Sequence, residues 1–203
     1  MFDIEAANEC LAQVFASDVS PADGMPALID FCTKLEKWRG WSAIRKLDYG
    51  ADCRRLQKWL DTVLTKEPPS KSIKAYWFGM FNPVVDGETT CGIYVAGSNT
   101  FDADDDSFEW ACDPAYFPNR RYAQSQVLDE IYRRVKSAKG DVPSYGEYVL
   151  CLGYAGLTVK SLAQKAVTEV WLGSKKQRAV AVGFDSGDGF LLGEIRKTGW
   201  KSA

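Results

Sequence analysis

Three observations predict an α+β fold with a mainly antiparallel sheet. Apolar residues recur at helical spacing through the first third of the chain, and two hairpin signatures follow, each a pair of strand-like runs around a Gly-containing turn. Helices and strands are also segregated along the chain instead of alternating as βαβ winding requires. With 203 residues, 46% of them hydrophobic and 26% charged, the chain can fill one core, so a single domain over 1–203 is expected. The alternative boundary is Pro68-Pro69-Ser70-Lys71, which would set off a helical subdomain over 1–67.

Taken in order, Asp3 caps a helix with Ile4, Ala7, Leu11, Val14 and Phe15 on its apolar face. The run Ser20-Pro-Ala-Asp-Gly24 reads as a breaker. Beyond it Met25, Leu28, Ile29, Cys32, Leu35 and Trp38 mark a second helix ending near Gly40. Asp52 is the expected cap of a third, with Cys53, Leu56, Leu60, Val63 and Leu64 inward, stopping before Pro68-Pro69. Ala75 to Phe81 and Thr90 to Ala96 read as a strand pair around an Asp86-Gly87 turn, and 98–122 as a long loop broken by Pro114 and Pro118. Gln124 to Ser137 is an amphipathic helix closed by Gly140. Glu147 to Leu152 is either a short strand or the start of a helix, with a break expected at Gly153 and Gly156 before a helix over Thr158–Ala166. Arg178–Phe184 and Phe190–Arg196 form the second hairpin about Asp185-Ser-Gly-Asp-Gly189.

Charge is divided more sharply than the formal net of −2 suggests. From Ala75 to Asn119 there is no Lys or Arg, and the stretch holds Asp86, Glu88, Asp102, Asp104, Asp105, Asp106, Glu109 and Asp113. Its densest part runs Phe101-Asp-Ala-Asp-Asp-Asp-Ser-Phe-Glu-Trp110. Anions mixed with large rings suit a docking surface for a basic partner: the carboxylates steer the encounter, and Phe101, Phe108 or Trp110 either anchor it or pin the loop to the sheet. The same acids allow a cation site. Asp102, Asp104 and Asp106 fall at positions 1, 3 and 5 of a calcium-loop register and Asp113 at position 12, but Ser107 stands where the turn glycine belongs and Pro114 follows at once. No cofactor is expected; calcium or magnesium is the alternative. Asp185 and Asp188 in the second hairpin turn are a further candidate pair, set against ordinary turn chemistry with Gly187 and Gly189.

Much chemistry is excluded. The chain has no His, which removes Ser–His and Cys–His pairs and the commonest zinc ligand. The six cysteines, at 10, 32, 53, 91, 112 and 151, lack CxxC spacing. Phosphate-cradle glycine motifs, GxSxG and HExxH are absent as well, and no carboxylate pair stands out as a hydrolase dyad. The basic and aromatic run Lys34, Lys37, Trp38, Arg39, Trp41, Arg45, Lys46, Arg54 and Arg55 reads as the wet face of a helix pair, so direct nucleic-acid binding is not expected. No segment is long and apolar enough for a membrane span. The acidic start Met-Phe-Asp-Ile-Glu lacks a signal-peptide pattern, and a cytoplasmic location is expected.

The strings Phe78-Gly-Met-Phe-Asn-Pro83, Phe101-Asp-Ala-Asp-Asp-Asp-Ser-Phe-Glu-Trp-Ala-Cys112 and Val182-Gly-Phe-Asp-Ser-Gly-Asp188 resemble those of small bacterial α+β proteins, among them immunity proteins of polymorphic and contact-dependent toxin systems. The resemblance covers about residues 75 to 195 and carries over no catalytic residue. It implies a non-enzymatic inhibitor whose acidic surface plugs a basic toxin domain. Partner-binding residues are therefore expected at Phe101, Asp102, Asp104, Asp105, Asp106, Phe108, Glu109, Trp110, Asp185 and Asp188. A divalent-metal module or metal-dependent hydrolase on Asp102, Asp104, Asp106 and Asp113 is the alternative.

Overall fold

The computed structural model describes residues 2–105, 107–166 and 168–203. In chain order it contains α1 (Ile4–Ala16), α2 (Pro21–Leu35), α3 (Trp41–Ile44), α4 (Tyr49–Lys66), β1 (Ala75–Phe81), β2 (Val84–Val85), β3 (Glu88–Thr89), β4 (Gly92–Ser98), β5 (Tyr122–Gln124), α5 (Gln126–Lys136), α6 (Val142–Tyr145), α7 (Leu152–Gln164), α8 (Thr168–Leu172), β6 (Gln177–Phe184), β7 (Gly189–Arg196) and β8 (Gly199–Ser202). Six strands form one sheet in the order β5-β4-β1-β6-β7-β8, in which only the β1–β6 pair is parallel. The fold is α+β, as expected.

The strand chemistry explains a sheet covered on both faces. Tyr76, Phe78, Met80, Ile93, Val95, Val180 and Val182 join the main core with α1, α2, α4 and α7. The other face is paved with small residues. Ala75 sits between Ser98 and Ala179, Trp77 between Ala96 and Ala181, and Gly79 between Tyr94 and Gly183. Successive residues of a strand point to opposite faces, so one indole stands in a shallow trough of alanine and glycine. A Cβ added at Gly183 would lie 2.3 Å from the Trp77 ring, and one at Gly79 2.2 Å from the Tyr94 ring. Both glycines are therefore required by close approach.

The first hairpin forms as predicted: β1 pairs with β4, and the connection adds a small two-stranded sheet, β2–β3, closed by Asp86 and Gly87. Both turn residues have positive φ, 52° and 82°, the geometry that selects Asp-Gly there. β8 had no sequence signal beyond Trp200 and extends the second hairpin to the sheet edge.

Several boundaries differ from expectation. Ser20-Pro21 opens α2 instead of breaking the chain, because Ser20 Oγ accepts from Asp23 N and proline suits the first helical turn. α2 stops at Leu35, short of Gly40, and α3 follows. The cap of α4 is Asp48, whose carboxylate accepts from Ala51 N at 2.9 Å. Glu147–Leu152 is neither a strand nor a break: Gly146–Cys151 is π-helical and runs straight into α7, which is buried from Leu152 to Ala163. Gly153 and Gly156 do not interrupt it. They admit neighbouring helices, since added Cβ atoms would lie 2.2 Å from Leu28 Cδ1 and 2.3 Å from Phe15 Cζ.

Several polar groups inside the helical layer bridge separate elements. Lys160 of α7 donates to the carbonyls of Phe15 (2.7 Å) and Ser17 (2.8 Å), supplying the cation that the last turn of α1 lacks. Burial holds its pKa below the usual lysine value. Asp52 is fully buried and accepts from Ser125 Oγ (2.5 Å), Gln126 N (3.1 Å), Tyr154 OH (3.0 Å) and Arg55 (2.9 Å), tying α4 to the start of α5 and to α7. Arg178 of β6 is buried and donates to the carbonyls of Ser70, Ile73 and Trp171 and to Tyr76 OH. Truncating Asp52 to Ala would strand a hydroxyl and a backbone N–H and leave the Tyr154 phenol only its 3.4 Å contact with the Tyr49 carbonyl, so a loss of about 3 kcal/mol is expected in urea unfolding. A loss below about 1 kcal/mol would contradict this account of the helix junction.

Candidate functional site

The acidic segment lies across the small-residue face of the sheet. Phe108 and Trp110 meet Trp77 there, and Phe101 packs on Trp110. The Trp77–Phe108, Phe101–Trp110 and Trp77–Trp110 centroids are 5.4, 5.4 and 6.2 Å apart. With Ala75, Ala179 and Ala181 they make a second, smaller apolar cluster. Phe108 adopts a left-handed backbone, φ 56°, which is costly for a bulky residue, of the order of 1–3 kcal/mol. Fully burying one such ring contributes about 1.5–3 kcal/mol, so Trp110 with two half-buried phenylalanines offsets one strained residue. Trp110 is buried and the two phenylalanines are half-buried. Of the two roles open to these rings, pinning the loop is the one seen.

The loop's own polar groups set its shape. Asp102 Oδ1 accepts from Asp104 N at 3.0 Å, and Asp105 Oδ1 from Ser107 N at 2.9 Å and Ser107 Oγ at 2.5 Å. These are local Asx turns. A short 3₁₀ turn, Glu109–Ala111, follows. At the far end Tyr116 exchanges two backbone hydrogen bonds with Gly97, of 2.8 and 2.9 Å, and its phenol donates to Glu67 O. The loop is thereby joined to both β4 and the end of α4.

Asp102, Asp104, Glu109 and Asp113 are exposed and Asp105 half-buried, and none of them is ion-paired among the described residues. Among the described residues no Lys or Arg lies within ion-pair distance of Asp102, Asp104, Asp105, Glu109 or Asp113. Asp106 lies outside the described residues. The first cations after the stretch are engaged elsewhere. Arg120 pairs with Glu67 at 2.9 Å, which holds the Glu67 carboxyl below the usual range, and Arg121 stacks on Phe117 and Tyr122 at 3.7 and 4.4 Å from the ring centroids. Of the other acids in the stretch, Glu88 pairs with Arg133.

The second predicted pair is split. Asp185 faces the acidic loop and its Oδ1 accepts from Tyr94 OH at 2.7 Å; Tyr94 burial, with this carboxylate second, pushes the phenol well above its ordinary pKa. Asp188 acts on the opposite side, where after burial it is the next cause of a raised Tyr148 pKa. Asp185 and the loop enclose a groove of about 290 Å³ lined by Trp77, Tyr94, Phe108, Phe117 and Phe184, among others. Trp77, Tyr94 and Phe117 were not expected at the site. The signal that finds Trp77 is the set of alanines and glycines around it on its own and neighbouring strands. For the cation alternative, no three acidic or thiol groups converge among the described residues, although Asp106 is outside that set. The basic–aromatic run at 34–55 has Trp41 buried with its cations exposed. No described helix is long and apolar enough to cross a membrane.

No protein-family model, no curated protein and no solved structure matches this chain.

The Ser107 hydroxyl, ahead of the backbone N–H groups around it, holds the Asp105 carboxyl below the ordinary aspartate pKa. A depressed carboxylate stabilises the fold above its unfolded-state pKa, and that contribution is lost as pH falls through the folded value. Ser107→Ala should raise the Asp105 midpoint toward the ordinary value in a carboxyl ¹³C NMR titration. An unmoved midpoint would refute the assigned cause.

Proposed function

We propose that this protein is a non-enzymatic binding protein of immunity type, which presents Asp102, Asp104, Asp105 and Glu109 to a basic toxin domain in the cytoplasm of a bacterium. The observation that carries the reading is the unpaired state of these carboxylates on a loop whose rings are committed inward. Fixed, uncompensated anions on a rigid support concentrate negative potential at low reorganisation cost. Such a surface imitates an anionic substrate and raises the encounter rate with a cationic cleft. The resemblance of three sequence strings to toxin-immunity proteins points the same way.

The inward rings change the expected division of labour. Phe101, Phe108 and Trp110 serve the complex by holding the carboxylates in place, and Asp185 joins them from the second hairpin. Charge therefore sets the association rate and salt dependence, while contact in the groove sets the release rate.

Titration against the protein encoded by the neighbouring reading frame, expected to carry a basic toxin domain, tests the proposal. Combined Asp102→Lys, Asp104→Lys and Asp105→Lys should weaken binding at least about tenfold and flatten its salt dependence. Unchanged affinity together with an unchanged salt slope would overturn it.

A further inference from the structure

The groove beside the acidic loop has walls that select a ligand. Its rings include Trp77, Tyr94, Phe108 and Phe117, and among the described residues its one carboxylate is Asp185 and no Lys or Arg lines it. A cavity of about 290 Å³ suits one long side chain, not a helix or a strand. Aromatic faces carry negative quadrupoles and attract a cation held within about 6 Å. A carboxylate at the rim adds a directional acceptor.

We propose that this groove is the binding site for a single cationic side chain, with an arginine guanidinium as its fitting ligand. The inference rests on the binding role argued above and names what one part of that surface holds. Asp185 Oδ1 is occupied by the Tyr94 phenol, which fixes the carboxylate and leaves Oδ2 without a protein donor among the described residues. One of these rings, Phe117, already stacks a guanidinium on its other side. Arg121 lies 3.7 Å from the Phe117 centroid and 4.4 Å from that of Tyr122, yet it does not line the groove, so the groove side of Phe117 stays available. Arginine fits better than lysine, since its planar group stacks on rings and forks onto a carboxylate in one pose. The site thus pairs a flat cation with ring walls at one end and Asp185 at the other.

The test is an NMR titration of the full chain with N-acetyl-arginine amide, followed at the Trp77 indole N–H, beside an identical titration with the neutral analogue N-acetyl-citrulline amide. Saturable millimolar binding is expected for the arginine compound alone. Asp185→Asn retains an acceptor for Tyr94 while removing the charge, and should weaken binding at least about fivefold. Phe117→Leu should weaken it as well, whereas Lys66→Ala on α4, outside the groove lining, should leave it within about twofold. Absence of saturation, equal binding of citrulline, or indifference to Asp185→Asn would each overturn the inference. If the groove fails while the combined reversal of Asp102, Asp104 and Asp105 still abolishes toxin binding, only the groove assignment falls.

Discussion

The arrangement depends on a complementarity of volume at the second face of the sheet. β1, β4 and β6 place alanine, glycine and serine around Trp77, which leaves a trough that their own side chains cannot fill. Phe101, Phe108 and Trp110 supply the missing bulk from the loop. Because packed interiors tolerate few voids, the loop and the trough require each other. A loop bound in this way has one face committed to rings, and its carboxylates are left to solvent. The acidic surface is thus a consequence of how the sheet is closed.

The helical face obeys a different constraint. α7 is buried along most of its length, so any polar side chain on it needs a partner inside the protein. Lys160 finds the end of α1 and Tyr154 finds Asp52, whose carboxylate also meets the first turn of α5. Arg178 gathers carbonyls from the connector before β1 and from α8. Apart from the Arg178–Trp171 contact, these bonds join segments far apart in sequence. The scaffold under the acidic face is held by such long-range polar contacts as well as by apolar packing.

Elements with one strong periodic signal were legible in the sequence: α5 with its clean apolar stripe, the β1–β4 pair around Asp86-Gly87, and the β6–β7 hairpin. Misreadings arose where a local signal had two physical uses. Gly153 and Gly156 read as helix breakers, but tertiary packing against Leu28 and Phe15 needed residues without side chains. Asp48 and Asp52, four residues apart, carry the same cap signal, and the burial of Asp52 depends on Ser125 and Tyr154, far away in the chain. At the site, the concentration of acids was plain from composition alone. The inward direction of the rings, the role of Trp77 as their floor and the separation of Asp185 from Asp188 depend on strand register, which one sequence does not encode locally.

The central claim is that negative potential is gathered over the loop while its rings are sheltered against the sheet. Paramagnetic relaxation of backbone amides, measured with a cationic and an anionic nitroxide of the same size, reads that potential directly. The account predicts that amides of residues 102–105 and 107–109 relax far more with the cationic probe, and that the Trp77 and Trp110 indoles are protected from the anionic one. Equal relaxation by both probes along the loop would contradict it.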